Sequence, residues 1–114
     1  MKLLKSFRYA IEGLVSVFKS EMNFKIHFVI AIGVICAGLY FKLSKLEWAF
    51  IIQCIAMVLC AELFNTAIEK LCNKVQPNID PQIKWIKDVS AAAVLITAIA
   101  AAITGIIIFT HHFF

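Results

Sequence analysis

Apolar positions along this chain fall into three long blocks, and about the first 20 residues follow a different rhythm. Val89 to Phe109 carries no charged residue, and a membrane-crossing helix needs ~20 apolar residues. Ile26 to Phe41 is a shorter uncharged block between Lys25 and Lys42. Lysines at both edges can snorkel to the interface, so a short span is workable. A third block starts near Trp48, runs uncharged to Ala61 and then meets Glu62. That stretch makes only about 21 Å of helix at ~1.5 Å per residue. The helix must therefore continue through Glu62 and Glu69 to the Lys70 region. The pattern predicts one unit over 1–114, with spans at 26–41, 47–69 and 88–110.

In the N-terminal segment, Leu4, Phe7, Ile11, Leu14 and Phe18 form one narrow helical stripe. Lys5, Arg8, Glu12, Ser16 and Lys19 form another, roughly 120° away at ~100° per residue. This predicts an amphipathic helix over 1–25 lying in the interface plane. Arg8, Glu12 and Lys19 interrupt the apolar run that a cleaved signal peptide would need. Between the second and third spans, Gln76-Pro77-Asn78-Ile79-Asp80-Pro81 is a turn-forming stretch.

Composition narrows the class. Of 114 residues, 62% are hydrophobic and 16% charged, too few polar groups to clothe a soluble domain. The hydrophobicity excludes disorder, and 4 Gly and 2 Pro exclude a collagen-like chain. The reading is an all-α integral membrane protein with little interior of its own, expected to build any cavity with copies of itself. Net charge is +4, but the basic residues flank apolar runs, which points to lipid headgroups and away from nucleic acid. Lys2, Lys5, Arg8, Lys19 and Lys25 precede the first span. Lys70, Lys74, Lys84 and Lys87 lie between the second and third, against Lys42 and Lys45 in the first loop. The positive-inside rule then puts the N-terminus and second loop in the cytoplasm, and the His111-His112 tail outside.

Several residues carry plain readings. Cys36, Cys54, Cys60 and Cys72 form no CxxC pair and read as small hydrophobes. Ala98 with Ala102, and Ala101 with Gly105, have the spacing of close helix approach, within one chain or between subunits. Tyr9 and Trp48 read as headgroup anchors, and His27 as a satisfied interfacial histidine. His111-His112 have no acidic or cysteine neighbour in sequence, which argues against a metal site there.

The acidic residues in the second span carry most of the chemistry. Glu62, Asn65 and Glu69 lie three and seven positions apart and share one helix face. Measured from Lys70, Glu62 lies about 12 Å deep, where an ionisable group is costly and marks function by default. Glu21 ends the N-terminal helix, and Asp88 follows Lys87 at the opening of the third span. All five polar residues and the lysine are expected at the cytoplasmic face. Carboxylates there suit Mg²⁺ and a phosphate-bearing ligand, and the deeper one suits a general base for a hydroxyl at headgroup depth. The plainer alternatives are interfacial solvation for Glu69, a protonated acid bonding between helices for Glu62, and solvation or helix capping for Glu21 and Asp88.

The string Glu62-Leu63-Phe64-Asn65-Thr66-Ala67-Ile68-Glu69 closely resembles the signature of the small bacterial diacylglycerol and undecaprenol kinases. Lys87-Asp88-Val89-Ser90-Ala91-Ala92-Ala93-Val94 resembles that family's opening of the last span, and Glu21-Met22-Asn23-Phe24-Lys25 its glutamate before the first. The resemblance covers nearly the whole chain. It implies a homotrimer in the bacterial cytoplasmic membrane, with active sites at subunit boundaries and transfer of the ATP γ-phosphate to a lipid hydroxyl. Within it, Glu62 matches the catalytic base and Asn65 the residue that orients the site. Glu21 and Glu69 match the magnesium and nucleotide carboxylates, Lys87 and Asp88 the nucleotide-contacting pair, and Tyr9 a nucleotide-proximal tyrosine. Phe64, Cys72-Asn73 and Ser90 depart from the family pattern without touching the acidic set. Gly13, Gly33, Gly38 and Gly105 are isolated, so there is no P-loop. Three functions remain open: a diacylglycerol kinase making phosphatidic acid, an undecaprenol kinase, and a non-enzymatic membrane adaptor or ion-conducting oligomer.

Overall fold

Local stop signals divide the apolar chain into four helices. The computed structural model describes all residues 1–114, as α1 (Lys2–Ser20), α2 (Met22–Phe41), α3 (Lys45–Val75) and α4 (Pro81–Phe113). α1 and α2 meet at one extended residue, Glu21 (φ −111°, ψ 113°), which ends one helix and opens the next. α2 stops where Lys42 turns left-handed at φ 55°, a conformation that ends helices. Two residues later a reciprocal cap starts α3. The Glu47 N–H donates to Ser44 Oγ at 3.2 Å, and the Ser44 N–H donates to Glu47 Oε1 at 2.9 Å. At α4, Asp80 Oδ1 accepts from the N–H groups of Gln82 and Ile83, and Pro81 occupies the first helical turn.

α2, α3 and α4 are long and apolar enough to cross a membrane, so the all-helical, three-span expectation holds. The boundaries differ. The first helix ends at Ser20, not residue 25, and α2 begins at Met22, not 26. α3 runs 45–75 where 47–69 was expected, and α4 runs 81–113 where 88–110 was expected. Hydropathy marks the segment that suits lipid, whereas caps mark where the helix ends. Lys70 is thus inside α3, not at its end.

α3 and α4 form the closest pair in the bundle. The apolar core is Leu43, Ile51 and Ile108, surrounded by Val34, Phe41, Trp48, Ile55 and Phe109. Trp48, expected as a headgroup anchor, is half-buried and lies over Gly38, where a Cβ would meet its ring at 2.7 Å. That close approach requires glycine. Ring contacts of Phe41 with Phe109 and Phe113 continue the core toward the end of α4. Only 10 of 114 residues are buried, so most apolar side chains must find lipid or another copy as their apolar medium. No residue of α1 is buried. Leu4, Phe7, Ile11 and Leu14 are exposed, while an edge-on contact joins Phe18 to Phe28 of α2.

Candidate active site

The far end of α3 carries the acidic face. Glu62 is buried at 5% exposure, and Thr66, one turn on, is also buried. Phe24, His27 and Ala31 sit three and four residues apart on α2, and Phe24 and Ala31 are buried, so this stripe is an inward face of α2. It brings His27 Nδ1 to 2.9 Å from Glu62 Oε1. The approach has ion-pair distance without hydrogen-bond alignment, and the buried Nδ1 has no other partner. His27 is therefore not the satisfied histidine expected from the sequence, since its buried Nδ1 has no hydrogen-bond partner. Its ion-pair contact is the acidic residue of the neighbouring span. Two ionisable residues at matching depth on successive spans were the available signal.

One and two turns beyond Glu62 lie Asn65 and Glu69. Asn65 Nδ2 donates to Glu69 Oε1 at 3.4 Å, and Asn65 Oδ1 is buried without a partner. Glu21, at the α1–α2 corner, reaches toward the same end of α3: its Oε1 lies 3.8 Å from Lys70 Nζ. Lys87 Nζ donates to Asn73 Oδ1, joining the start of α4 to the end of α3. Asp88 is exposed and pairs with Lys84 at 2.6 Å along its own helix. Tyr9 is exposed on α1. The structure thus gathers Glu62, Asn65 and Glu69 on one face, with Glu21 tied to the neighbouring Lys70. It does not bring Tyr9 or Asp88 into contact with those carboxylates. Nowhere in the chain do three His, Cys, Asp or Glu side chains converge as a metal cage.

The opposite end holds a second pair. His112 Nε2 lies 3.0 and 3.1 Å from the two carboxylate oxygens of Glu47. The tail histidines have no acidic neighbour in sequence, but the fold supplies one from the first turn of α3.

Two apolar clefts adjoin the acidic end. One, of about 570 Å³, runs between α2, α3 and α4 from His27 to Phe113, past Ala98, Ala102 and Gly105. The small residues of α4 therefore border open space, and a Cβ on Gly105 would meet nothing within 4 Å. Gly105 thus makes no close helix approach within this chain, while Ala98 and Ala101 are half-buried. The other cleft, of about 660 Å³, follows α3 and α4 past Phe64 and Ala93 and reaches Asn65 and Ser90. A wider depression beside Ser44 and Phe114 lies far from the carboxylates.

The sequence profile described as prokaryotic diacylglycerol kinase matches residues 8–109. An undecaprenol kinase of Bacillus subtilis is 34% identical over 108 residues, covering 95% of this chain and 88% of that protein. A diacylglycerol kinase of Synechocystis is 38% identical over 104 residues, covering 90% of this chain and 59% of that protein. A diacylglycerol kinase of Escherichia coli is 25% identical over 112 residues, covering 98% of this chain and 92% of that protein.

Proposed function

The chain belongs to the prokaryotic diacylglycerol kinase family, and from that premise we propose that it transfers the γ-phosphoryl group of ATP to the hydroxyl of diacylglycerol, giving phosphatidic acid. The observation that carries this reading is Glu62, a carboxylate buried at 5% exposure within an apolar helix. Such a group is well sited to meet a hydroxyl that cannot leave the membrane. Glu62 takes the hydroxyl proton as the lipid oxygen attacks the γ-phosphorus. The bond from that phosphorus to the β-γ bridging oxygen breaks, and ADP departs. Reactions of this kind need mostly positioning and charge neutralisation.

The residues toward the end of α3 suit the nucleotide. Asn65 Oδ1, buried and unpartnered, and the Glu69 carboxylate beside it are hard oxygen donors, the kind Mg²⁺ selects. Glu21 and Glu69 would hold the ion, with phosphate oxygens and water completing its shell. When bound, magnesium offsets the charge of the triphosphate. Asn65 orients the Glu69 carboxylate through its amide. Lys87 and Asp88 contact the nucleotide, and Tyr9 approaches it from α1. These assignments follow the motif matches. α1, with its exposed apolar stripe, lies in the cytoplasmic interface. Three copies form the enzyme, with sites at subunit boundaries. The open cleft along the small residues of α4 and the scarcity of buried side chains favour such an assembly.

A second reading, undecaprenol as acceptor, is favoured by the undecaprenol kinase relative, whose match spans most of both chains. Purified protein in detergent, given MgATP and each lipid in turn, separates the two. Transfer to diacylglycerol at the higher kcat/KM supports the first reading, and the reverse ratio supports the second. Transfer to neither by a folded, homogeneous sample leaves an adaptor or conducting oligomer.

A further inference from the structure

We infer that His27 is the positioning residue of the Glu62 carboxylate: its imidazole, carried on α2, fixes the orientation of the acidic group of α3 at the depth where the acceptor hydroxyl arrives. The inference rests on the kinase reading of Glu62 and deepens it.

Two facts of geometry carry it. Glu62 makes no hydrogen bond or ion-pair contact with any other side chain, so His27, 2.9 Å away, is its one polar side-chain contact. In turn, Nδ1 of His27 is buried, lacks a hydrogen-bond partner and faces this carboxylate. A glutamate has three rotatable side-chain bonds, and helix geometry and apolar packing restrict them without giving its carboxylate oxygens a directed polar contact. A ring on another helix supplies one, provided the ring itself is held. It is: Phe24 and Ala31, on either side along the same stripe, are buried, and Phe28 is braced by Phe18.

No other charged side chain competes for the pair. Glu69 is engaged with Asn65 and Glu21 with Lys70, and α4 carries no charged residue between Asp88 and His111. His27 is also more open than its partner, at 24% side-chain exposure against 6%. It borders the long apolar cleft, so it stands between the carboxylate and the space beside it. A group so placed acts through Glu62 and needs no contact with the substrate. Its removal should slow the chemical step and leave nucleotide affinity alone.

The test pairs two replacements with opposite losses. H27F keeps a ring and removes the nitrogen. H27N removes the ring and keeps a polar atom where Nδ1 stands. Each is assayed as purified, homogeneous protein with MgATP and the preferred lipid acceptor, alone and combined with E62Q. H27F should lower kcat about tenfold, with the KM for MgATP within about twofold of the parent. H27N should keep more kcat than H27F. In the E62Q background, H27F should cost nothing further, because partners that act as a unit are not additive. If H27F does not give homogeneous protein, H27L takes its place.

Full turnover by H27F, a loss that persists with E62Q, or H27N falling below H27F would each overturn the inference in favour of ring packing. Full turnover by E62Q would remove the base itself and the inference with it. Because E62Q is measured on its own in the same series, that failure is distinguishable from a failure of His27 alone.

Discussion

α3 is held differently at its two ends. Around Lys45–Ile55 it begins with a reciprocal cap, seats Trp48 over Gly38, and contributes Ile51 to the core with Leu43 and Ile108. Glu47 adds a polar tie to His112 of α4. Around Glu62–Glu69 the buried groups are polar, and two polar atoms, His27 Nδ1 and Asn65 Oδ1, are buried without hydrogen-bond partners. Unsatisfied groups of this kind are costly to bury. A single helix can carry them because its other end is firmly seated. Apolar packing and capping are gathered at one end, and the buried polar groups at the other, on one helix that spans both.

This contrast predicts that substitutions will separate activity from stability. The largest effect is expected for Glu62→Gln. Loss of the proposed base should lower kcat by about 10²-fold or more, or ~2.7 kcal/mol of barrier, with the thermal midpoint in detergent nearly unchanged. A kinetic assay beside a melting curve checks both halves. Gly38→Val reverses the pattern. Its side chain would drive into the Trp48 ring and destabilise the bundle by about 2 kcal/mol, while turnover at low temperature stays near the parent. A lowered melting temperature with full kcat is the expected result.

Glu69→Gln should raise the apparent KM for MgATP about tenfold and change kcat less, the signature of lost nucleotide binding; a magnesium and ATP titration measures it. The smallest effect is expected for Ser44→Ala. It removes the side-chain half of the α3 cap and should cost about 1 kcal/mol, read as a small fall in melting temperature. A loss of kcat in Gly38→Val or Ser44→Ala at temperatures where the protein is folded would break the division between the ends.

The parts legible in the sequence are those whose signal is local. Apolar blocks locate the spans, and the spacing of Glu62, Asn65 and Glu69 places them on one face before any packing is known. Ser44-Lys45-Leu46-Glu47 and Asp80-Pro81 also carry local start signals that correct the hydropathy boundaries. The pairs His27–Glu62 and Glu47–His112 were not legible. α2 is apolar around nearly its whole circumference, so periodicity does not say which side faces α3. Only the packing of Phe24 and Ala31 does. Glu47 and His112 stand 65 residues apart, and their meeting depends on α3 and α4 lying antiparallel in one register. Glu21 and Lys70 likewise meet only because the one-residue corner after α1 turns toward α3.

The lengths of the helices also make the chain a calliper. α2 has 20 residues, about 30 Å of axis, which matches the ~30 Å hydrocarbon thickness of a typical bilayer. α3 has 31 residues, about 46 Å, and the short turn at Lys42–Ser44 sets the start of α3 beside the end of α2. Counted from that turn, Glu62 stands about 26 Å along the axis, about 4 Å short of the length of α2. It is thus nearer the far boundary than the ~12 Å counted from Lys70, which lies inside α3. A thicker bilayer carries the lipid hydroxyls past that mark and a thinner one stops them short. Tilting the helices recovers only part of the difference. Turnover should therefore peak at one acyl-chain length of the host bilayer, independently of the chains on the acceptor itself.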